Sequence, residues 1–493
     1  MRTSLVLCAA ALLRAYAGLA QAPFSLDTTF RAEFQTWYVS SVLPLDDGGV
    51  ILSGQIHELD EPFPFTFQPV VRLDPEGTWD ESFLQNTPGG ALPGGGKLTH
   101  WIDRFYVSST QTVVRLLYTG LVDPTFIPMN NDPYFNSLQG GDYHVFPDGR
   151  VVMSGMHMLN DPVRGFVGDY NFIWFSNQGY LDTTRTHRSG NGAIYDFIQL
   201  PDGKFIAGTT GTMYDGRPTS RIQRMHADGS LDTTFYAGVQ WGEAQCFLPA
   251  PGGRVYAAGM FGLAAAPTDT LHLVRLLPNG QLDPAFNNTL HLDLGDLDGL
   301  GGTIFTMHQL TEDRILVLGK FVAVDGVAHR GLAVVDTTGT LVDLGAGTGC
   351  GPYIYQGYNY GGFQGAAPYG EDQLLVFGAY HGYDDGVVND TAQRFISRLN
   401  IGSLYVGEAE RSGSTSLSTY PNPASGSLTV DLAGPYTPGM LVLRDALGHR
   451  VLELRCGSAT CRLDLNTIAN GTYHLHLVTD NGFGAVQRIV VQH

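Results

Sequence analysis

The pentapeptide LDTTF stands at residues 26–30 and again at 231–235, and blurred copies recur between and after them. A phrase respelled along a chain marks one structural unit made several times, which restricts the fold to repeat architectures. The phrase closes a longer half-motif, IQRMHADGSLDTTF at Ile222–Phe235. This returns as VVRLDPEGTWDESF from Val70, VVRLLYTGLVDPTF from Val113, IWFSNQGYLDTT from Ile173, LVRLLPNGQLDPAF from Leu273 and LAVVDTTGTLVDL from Leu332. A second half-motif alternates with it: LPDGKFIAG at Leu200–Gly208, with copies from Leu43, Phe146, Leu248 and Leu310 and a worn one from Tyr369. The aspartates of the first half-motif fall at Asp27, Asp80, Asp123, Asp182, Asp232, Asp283 and Asp343. Their spacing, roughly 43 to 60 residues, is near that of one propeller blade.

Each half-motif reads as a strand beside a turn. PDG, ADG and PNG place Asp or Asn before Gly, the pair that tolerates the positive φ of a tight hairpin. KFIAG, RVYAAG and RILVLG are short, apolar and rich in β-branched or aromatic residues. Two hairpins per repeat make a four-stranded sheet that is apolar on both faces and must stack on copies of itself. The last copy, RFISRLNIGS at Arg394–Ser403, has its strand but no LDxxF, whereas the first LDTTF has no strand before it. A closed ring joins the two ends and removes exposed edges. The expectation is an all-β chain: a β-propeller of seven blades, give or take one, followed by a small C-terminal Ig-like β-sandwich. The 63 glycines, 26 prolines and 15% charged residues suit so many turns.

From Pro23 to Ser403 these residues resemble the delta-60 repeat family, whose consensus joins LPDGKxxxxG to RLxxDGxLDxxF. The resemblance implies a propeller-like repeat of secreted proteins; the family carries no agreed activity or catalytic residues.

The ends of the chain read as addresses. Residues 1–22, with Arg2, an apolar run from Leu5 to Leu13 and Ala20-Gln21-Ala22, have the form of a secretory signal peptide cut after Ala22. No later stretch is long and apolar enough for a transmembrane segment. The repeats occupy 23–404, a Ser/Thr/Gly-rich linker 405–417, and a second unit 418–493. That unit contains Tyr420-Pro421-Asn422-Pro423, Asp445 with Gly448, Leu463-Asp464 with Gly471 and Tyr473, and a terminal amphipathic strand bearing Gln487 and Arg488. In this order the landmarks resemble the type A C-terminal sorting domain of the type IX secretion system, with Gln487 and Arg488 where lysine is usual. The resemblance implies partners in the type IX machinery and a sortase-like protease that removes the tail. It also implies a product released or attached at the outer-membrane surface.

The net charge of −19 excludes a nucleic-acid partner, since phosphate binding needs a concentrated basic surface. Cys456 and Cys461 flank a Gly-Ser-Ala-Thr turn, and a hairpin-closing disulfide is expected there in an oxidising compartment; Cys246 and Cys350 are either a second pair or two buried thiols.

No nucleophile, metal or phosphate-binding motif occurs, so no catalytic residue is assigned. The repeated aspartates, needed once per blade, are expected to serve the turns. In Asp293–Gly299, Asp296 and Asp298 precede a glycine, but Leu294 and Phe305 stand where an EF-hand needs acidic ligands, leaving only looser calcium binding open; no other cofactor is expected. The candidate binding residues are Tyr353, Tyr355, Tyr358, Tyr360 and Phe363 in the insert YIYQGYNYGGFQG, whose glycine-separated rings suit a sugar or a protein surface. Trp37, Trp101 and Trp241 also lie outside the repeat motifs. The expected function is a non-catalytic binding or adhesion scaffold for an extracellular glycan or protein. Its rivals are a polysaccharide hydrolase or lyase with its acid and base on inter-blade loops, and a purely architectural surface protein.

Overall fold

The computed structural model describes residues 22–59, 67–83, 95–108, 112–127, 135–264, 266–298, 302–345, 347–370, 372–401, 416–433, 439–444, 450–456, 458, 460–479 and 482–493. Among them the regular structure is β-strand, apart from one 3-10 turn at Pro251–Gly253.

Among the described residues seven main antiparallel sheets follow one another through the repeats, built around Val50–Glu58, Arg104–Ser108, Val151–Asp161, Phe205–Thr209, Arg254–Leu263, Arg314–Lys320 and Gln373–Asp384. Six of these central strands are the KFIAG-type runs; the second, Arg104–Ser108 (RFYVS), lacks the closing glycine. In the fourth sheet Phe205–Thr209 lies between Ile194–Gln199 and Ile222–Met225. The LD of LDxxF adds a minimal outer strand, as in the bridge of Met225 with Leu231. In the six runs that close on a glycine, that glycine sits where backbones crowd: a Cβ at Gly319 would lie 2.1 Å from the Thr303 carbonyl oxygen.

The seventh sheet ends on the N-terminal strand. Ser25–Leu26 pairs with Asn389–Asn400 in the register Ser25↔Asn400 and Leu26↔Leu399. The Leu26 N–H also donates to Asp385 at 2.8 Å, and the Tyr383 hydroxyl donates to the Phe24 carbonyl at 3.0 Å. Val39–Pro44 of the first sheet packs on Gly362–Tyr369 of the seventh, and Phe30, Phe34 and Val39 share one buried cluster with Leu375, Phe377 and Phe395. The chain therefore closes on itself.

The LDxxF phrase joins neighbouring sheets. At Asp232 the backbone N–H donates to the Arg224 carbonyl (2.9 Å) and the side chain accepts from the Thr234 N–H and hydroxyl (3.0 and 2.6 Å), an Asx turn. Its other oxygen takes Arg224 and Lys204, both at 2.9 Å. Arg224 then reaches the next sheet's turn at the Pro278 carbonyl, 2.7 Å away, while Phe235 lies under its guanidinium and the Tyr236 N–H donates to Asn279. The arrangement recurs with Arg115, Asp123 and Phe126. It recurs again with Arg275, Asp283 and Phe286. Across the seam it is made by Arg398, Asp27 and Phe30, with Arg398 reaching the Pro75 carbonyl. The repeated aspartates thus hold turns and sheets together.

The C-terminal residues form two further sheets over one core that includes Leu428, Leu441, Leu463, Leu475 and Ile489. Cys456 and Cys461 are bonded, but their strands do not pair: Arg450–Cys456 pairs with Gly439–Arg444, and Thr460–Asp464 with Ser427–Ala433. The bridge ties one sheet to the other, correcting the hairpin expectation. Cys246 and Cys350 are separate buried thiols.

Candidate binding site

The tyrosine insert folds as a small hairpin. Ile354 pairs with Asn359 and Tyr355 with Tyr358 around Gln356 (φ 51°) and Gly357 (φ 86°), both left-handed as a type I′ turn requires. Two carboxylates moor it. Asp298 accepts the Asn359 N–H at 2.7 Å, and Asp296 accepts the Asn359 side-chain amide at 3.1 Å while also pairing with Arg330 at 2.7 Å. The residues read as a degenerate calcium loop are thus engaged in positioning the hairpin. Gly299 lies outside the described residues. Among the described residues no group of three His, Cys, Asp or Glu side chains is placed to hold a metal.

The hairpin walls a cavity of about 410 Å³ where the sixth, seventh and first sheets meet. Four kinds of residue line it. Tyr353, Tyr355 and Tyr360 come from the insert, and Trp37 and Tyr38 from the link following the N-terminal LDTTF. Phe305 and Gln364 sit at bulges in Thr303–Thr311 and Gly362–Tyr369, where the register skips from Ile304 to Thr306 and from Phe363 to Gly365. A bulge re-aims the side chain it carries. Lys320 and Ala379 each follow the glycine of their central strand.

Tyr353 is the fixed part of the wall: it is buried, its hydroxyl donates to the Thr36 carbonyl at 3.1 Å, and its ring meets His381 and Phe395 edge-on. Burial pushes its phenol up. Trp37 and Tyr355, 46% and 38% exposed, lie with ring centroids 6.0 Å apart. Tyr360 carries the Lys320 ammonium over its ring at 5.5 Å. Tyr358 is exposed beside Tyr360 and is not a lining residue. Phe363 corrects the expectation that it binds ligand: it is fully buried against Tyr380 and Tyr383. Its strand position pairs with Gly378, so it faces the core while Gln364 faces the cavity. Lys320 and Phe305 escaped the sequence reading because they belong to the repeats themselves, and Gln364, although inside the insert, was passed over because only the insert's rings were singled out. The residue after each strand glycine, which varies from copy to copy, was the available signal.

Away from this cavity, Asp196 and Asp142 occupy matching places in the fourth and third sheets, and Asp142 pairs with Lys97 at 2.8 Å. Burial and then the charge of Asp142 push the Asp196 carboxyl up, offset in part by Lys97. Neither carboxyl lines the aromatic cavity.

In the C-terminal unit Asn422 fastens the terminal strand. Its amide donates to the Arg488 carbonyl and its oxygen accepts the Val490 N–H, each at 2.8 Å. Pro421, Asn422, Pro423 and Arg488 are exposed. The Tyr473 hydroxyl donates to the Ala469 carbonyl at 2.8 Å, and Gly471 opens the strand Gly471–Thr479. Asp445 and Gly448 lie outside the described residues.

Residues 200–235 and 251–286 match a domain of unknown function described as a beta-propeller (DUF5122). No curated protein matches the sequence. Among solved structures the chain is similar to the extracellular domain of a hybrid two-component system of B. thetaiotaomicron, at 11% identity and a TM-score of 0.41. That match covers 96% of this chain and 59% of the other, so the chain spans under two thirds of that protein's length. A fungal alcohol oxidase in complex with copper matches at 12% identity and a TM-score of 0.43, over 95% of this chain and 100% of its own. PorZ, a surface component of the type IX secretion system of Porphyromonas gingivalis, matches at 11% and 0.28, over 92% and 81%. No described helix is long and apolar enough to cross a membrane. Residues 418–492 match the secretion system C-terminal sorting domain, which marks this all-β, propeller-bearing chain for type IX export to the cell surface or extracellular space.

Proposed function

We propose that the chain is a seven-bladed delta-60-repeat propeller that binds an extracellular glycan without catalysis. In this reading a leader of residues 1–22 is removed. The propeller spans 23–404, and a linker at 405–417 carries an Ig-like sandwich at 418–493 that engages the type IX machinery and a sortase-like protease. Export exposes the ring to polysaccharides and proteins outside the cell. The observation that carries the reading is the cavity at the seam. A concave site of about 410 Å³ with Trp37, Tyr355 and Tyr360 on its walls and Gln364 within it offers flat faces for a sugar ring and an amide for its hydroxyls. A flat aromatic patch would favour a protein partner; a cleft favours a compact ring.

Retention on a panel of bacterial, plant and algal polysaccharides tests this. The intact protein is expected to be retained selectively. The double variant Trp37→Ala/Tyr355→Ala is expected to lose retention with the same melting temperature, because both side chains are substantially exposed. Retention unchanged in the double variant would reject the site.

The rival, a hydrolase or lyase, draws on the Asp142 and Asp196 pair, since a carboxyl held protonated by burial and a neighbouring carboxylate has the character of a general acid. Those groups stand apart from the aromatic walls and next to Lys97, which favours binding as the main role. New reducing ends or unsaturated products from a retained polysaccharide, lost in Asp196→Asn, would reverse that order.

A further inference from the structure

The cavity contains an ammonium group that has no carboxylate ion-pair partner among the described residues. The chain has three lysines, Lys97, Lys204 and Lys320. Lys97 pairs with Asp142 at 2.8 Å and Lys204 with Asp232 at 2.9 Å. Lys320 instead donates to the backbone carbonyl of Asp298 and lies over the ring of Tyr360. The carboxylates nearest in sequence to that carbonyl are committed elsewhere: Asp298 to the Asn359 N–H, and Asp296 to Arg330 and the Asn359 amide. Among the described residues none of those lining the cavity is acidic.

A carbonyl and an aromatic face give a cation weak compensation for lost water. An anion entering the cavity would supply the missing partner, and charge-assisted hydrogen bonds of that kind are among the stronger ones. In a protein of net charge −19, a cavity carrying one positive charge that Asp298 offsets only in part is a local reversal of sign. Burial pulls the Lys320 ammonium down from the ordinary lysine range, and Asp298 partly restores it, which matches a group short of counter-charge.

We propose that the seam cavity takes an anionic sugar, a uronate or sulfated ring, whose acidic group binds the Lys320 ammonium while the ring lies against Trp37 and Tyr355. The inference rests on the glycan-binding reading and adds the charge of the ligand to it. Neutral faces alone would accept neutral sugars equally; the lone ammonium makes the site selective.

The experiment is calorimetric titration of the full chain with oligosaccharides of homogalacturonan, alginate and a sulfated galactan. Each is set against its neutral counterpart: methyl-esterified, carboxyl-reduced or desulfated. At least one acidic form is expected to bind about tenfold more tightly than its neutral counterpart, the scale of one charge-assisted hydrogen bond. Lys320→Met, which keeps the unbranched stem of the side chain and removes its ammonium, should erase that difference and the salt dependence with it. Equal affinity for acidic and neutral forms, or an unaltered preference in Lys320→Met, overturns the inference while leaving the glycan site standing. Binding of poly-glutamate as tight as that of the best oligosaccharide, and insensitive to Trp37→Ala, overturns it in favour of an acidic protein. Failure of every oligosaccharide and of every polysaccharide on the panel rejects both the inference and the reading beneath it.

Discussion

Asp232 shows what one letter of the repeat does. Burial on its own raises the carboxyl, but the Thr234 hydroxyl, Lys204, the Thr234 N–H and Arg224 more than reverse this and hold it below the usual carboxylate range. Asp27, Asp123 and Asp283 show the same balance and the same net direction. Such groups add stability above the unfolded carboxylate value of about 3.8, and it is lost as pH falls below that toward their folded values. Histidines act over an earlier window. Burial pushes His144, His187 and His308 down to about 4 from 6.5, with Lys97 adding to the effect at His144 and Asp182 opposing it at His187. His187 also accepts the Trp174 N–H at 3.1 Å, which only an unprotonated nitrogen can do. Between pH 6.5 and about 4 the unfolded chain takes up protons that the folded chain refuses, so stability falls with pH across that window. Denaturant midpoints measured from pH 8 to 3 should begin to fall near 6.5 and drop more steeply below 4. A flat profile between 8 and 4 would contradict the placement of these histidines.

Elements were legible where the repeat spelled them. The recurring D-G pairs located the turns because hairpin geometry demands positive φ, and that demand does not depend on tertiary context. A second demand on the same glycines was hidden. At Gly280 a Cβ would stand 2.7 Å from the backbone of Tyr236, the residue following LDTTF of the preceding sheet, whereas at Gly203 nothing lies within 4 Å. Both have left-handed φ, +90° and +81°. Gly203→Ala should therefore cost about 1 kcal/mol for backbone conformation. Gly280→Ala should cost about 3 kcal/mol, because packed backbone must also move. Equal losses in denaturant unfolding would mean that the LDxxF phrase does not press on its neighbour's turn. The bulges that aim Phe305 and Gln364 were illegible for another reason: an extra residue in a strand leaves no period in the sequence and is fixed by the ladder partner. The same limit hid the direction of Phe363.

For the whole molecule, closure was readable from the mismatch of the two ends, and the pairing of Ser25–Leu26 with Asn389–Asn400 carries it out. The sequence did not reveal which loops closure brings together. Trp37 lies more than three hundred residues from Tyr355, and only the seam makes them neighbours. The binding account thus depends on the ring: the N-terminal phrase completes the last sheet and also delivers one wall of the site. Hydrogen exchange of the full chain, with and without the polysaccharide it retains best, tests this most directly. The account predicts protection in peptides carrying Trp37–Tyr38 and Tyr353–Gln364 together, with none in Tyr143–Val145 or Ile194–Gln199. Protection centred on the strands of Asp142 and Asp196, with the seam unchanged, would contradict it and place the function in the carboxyl pair.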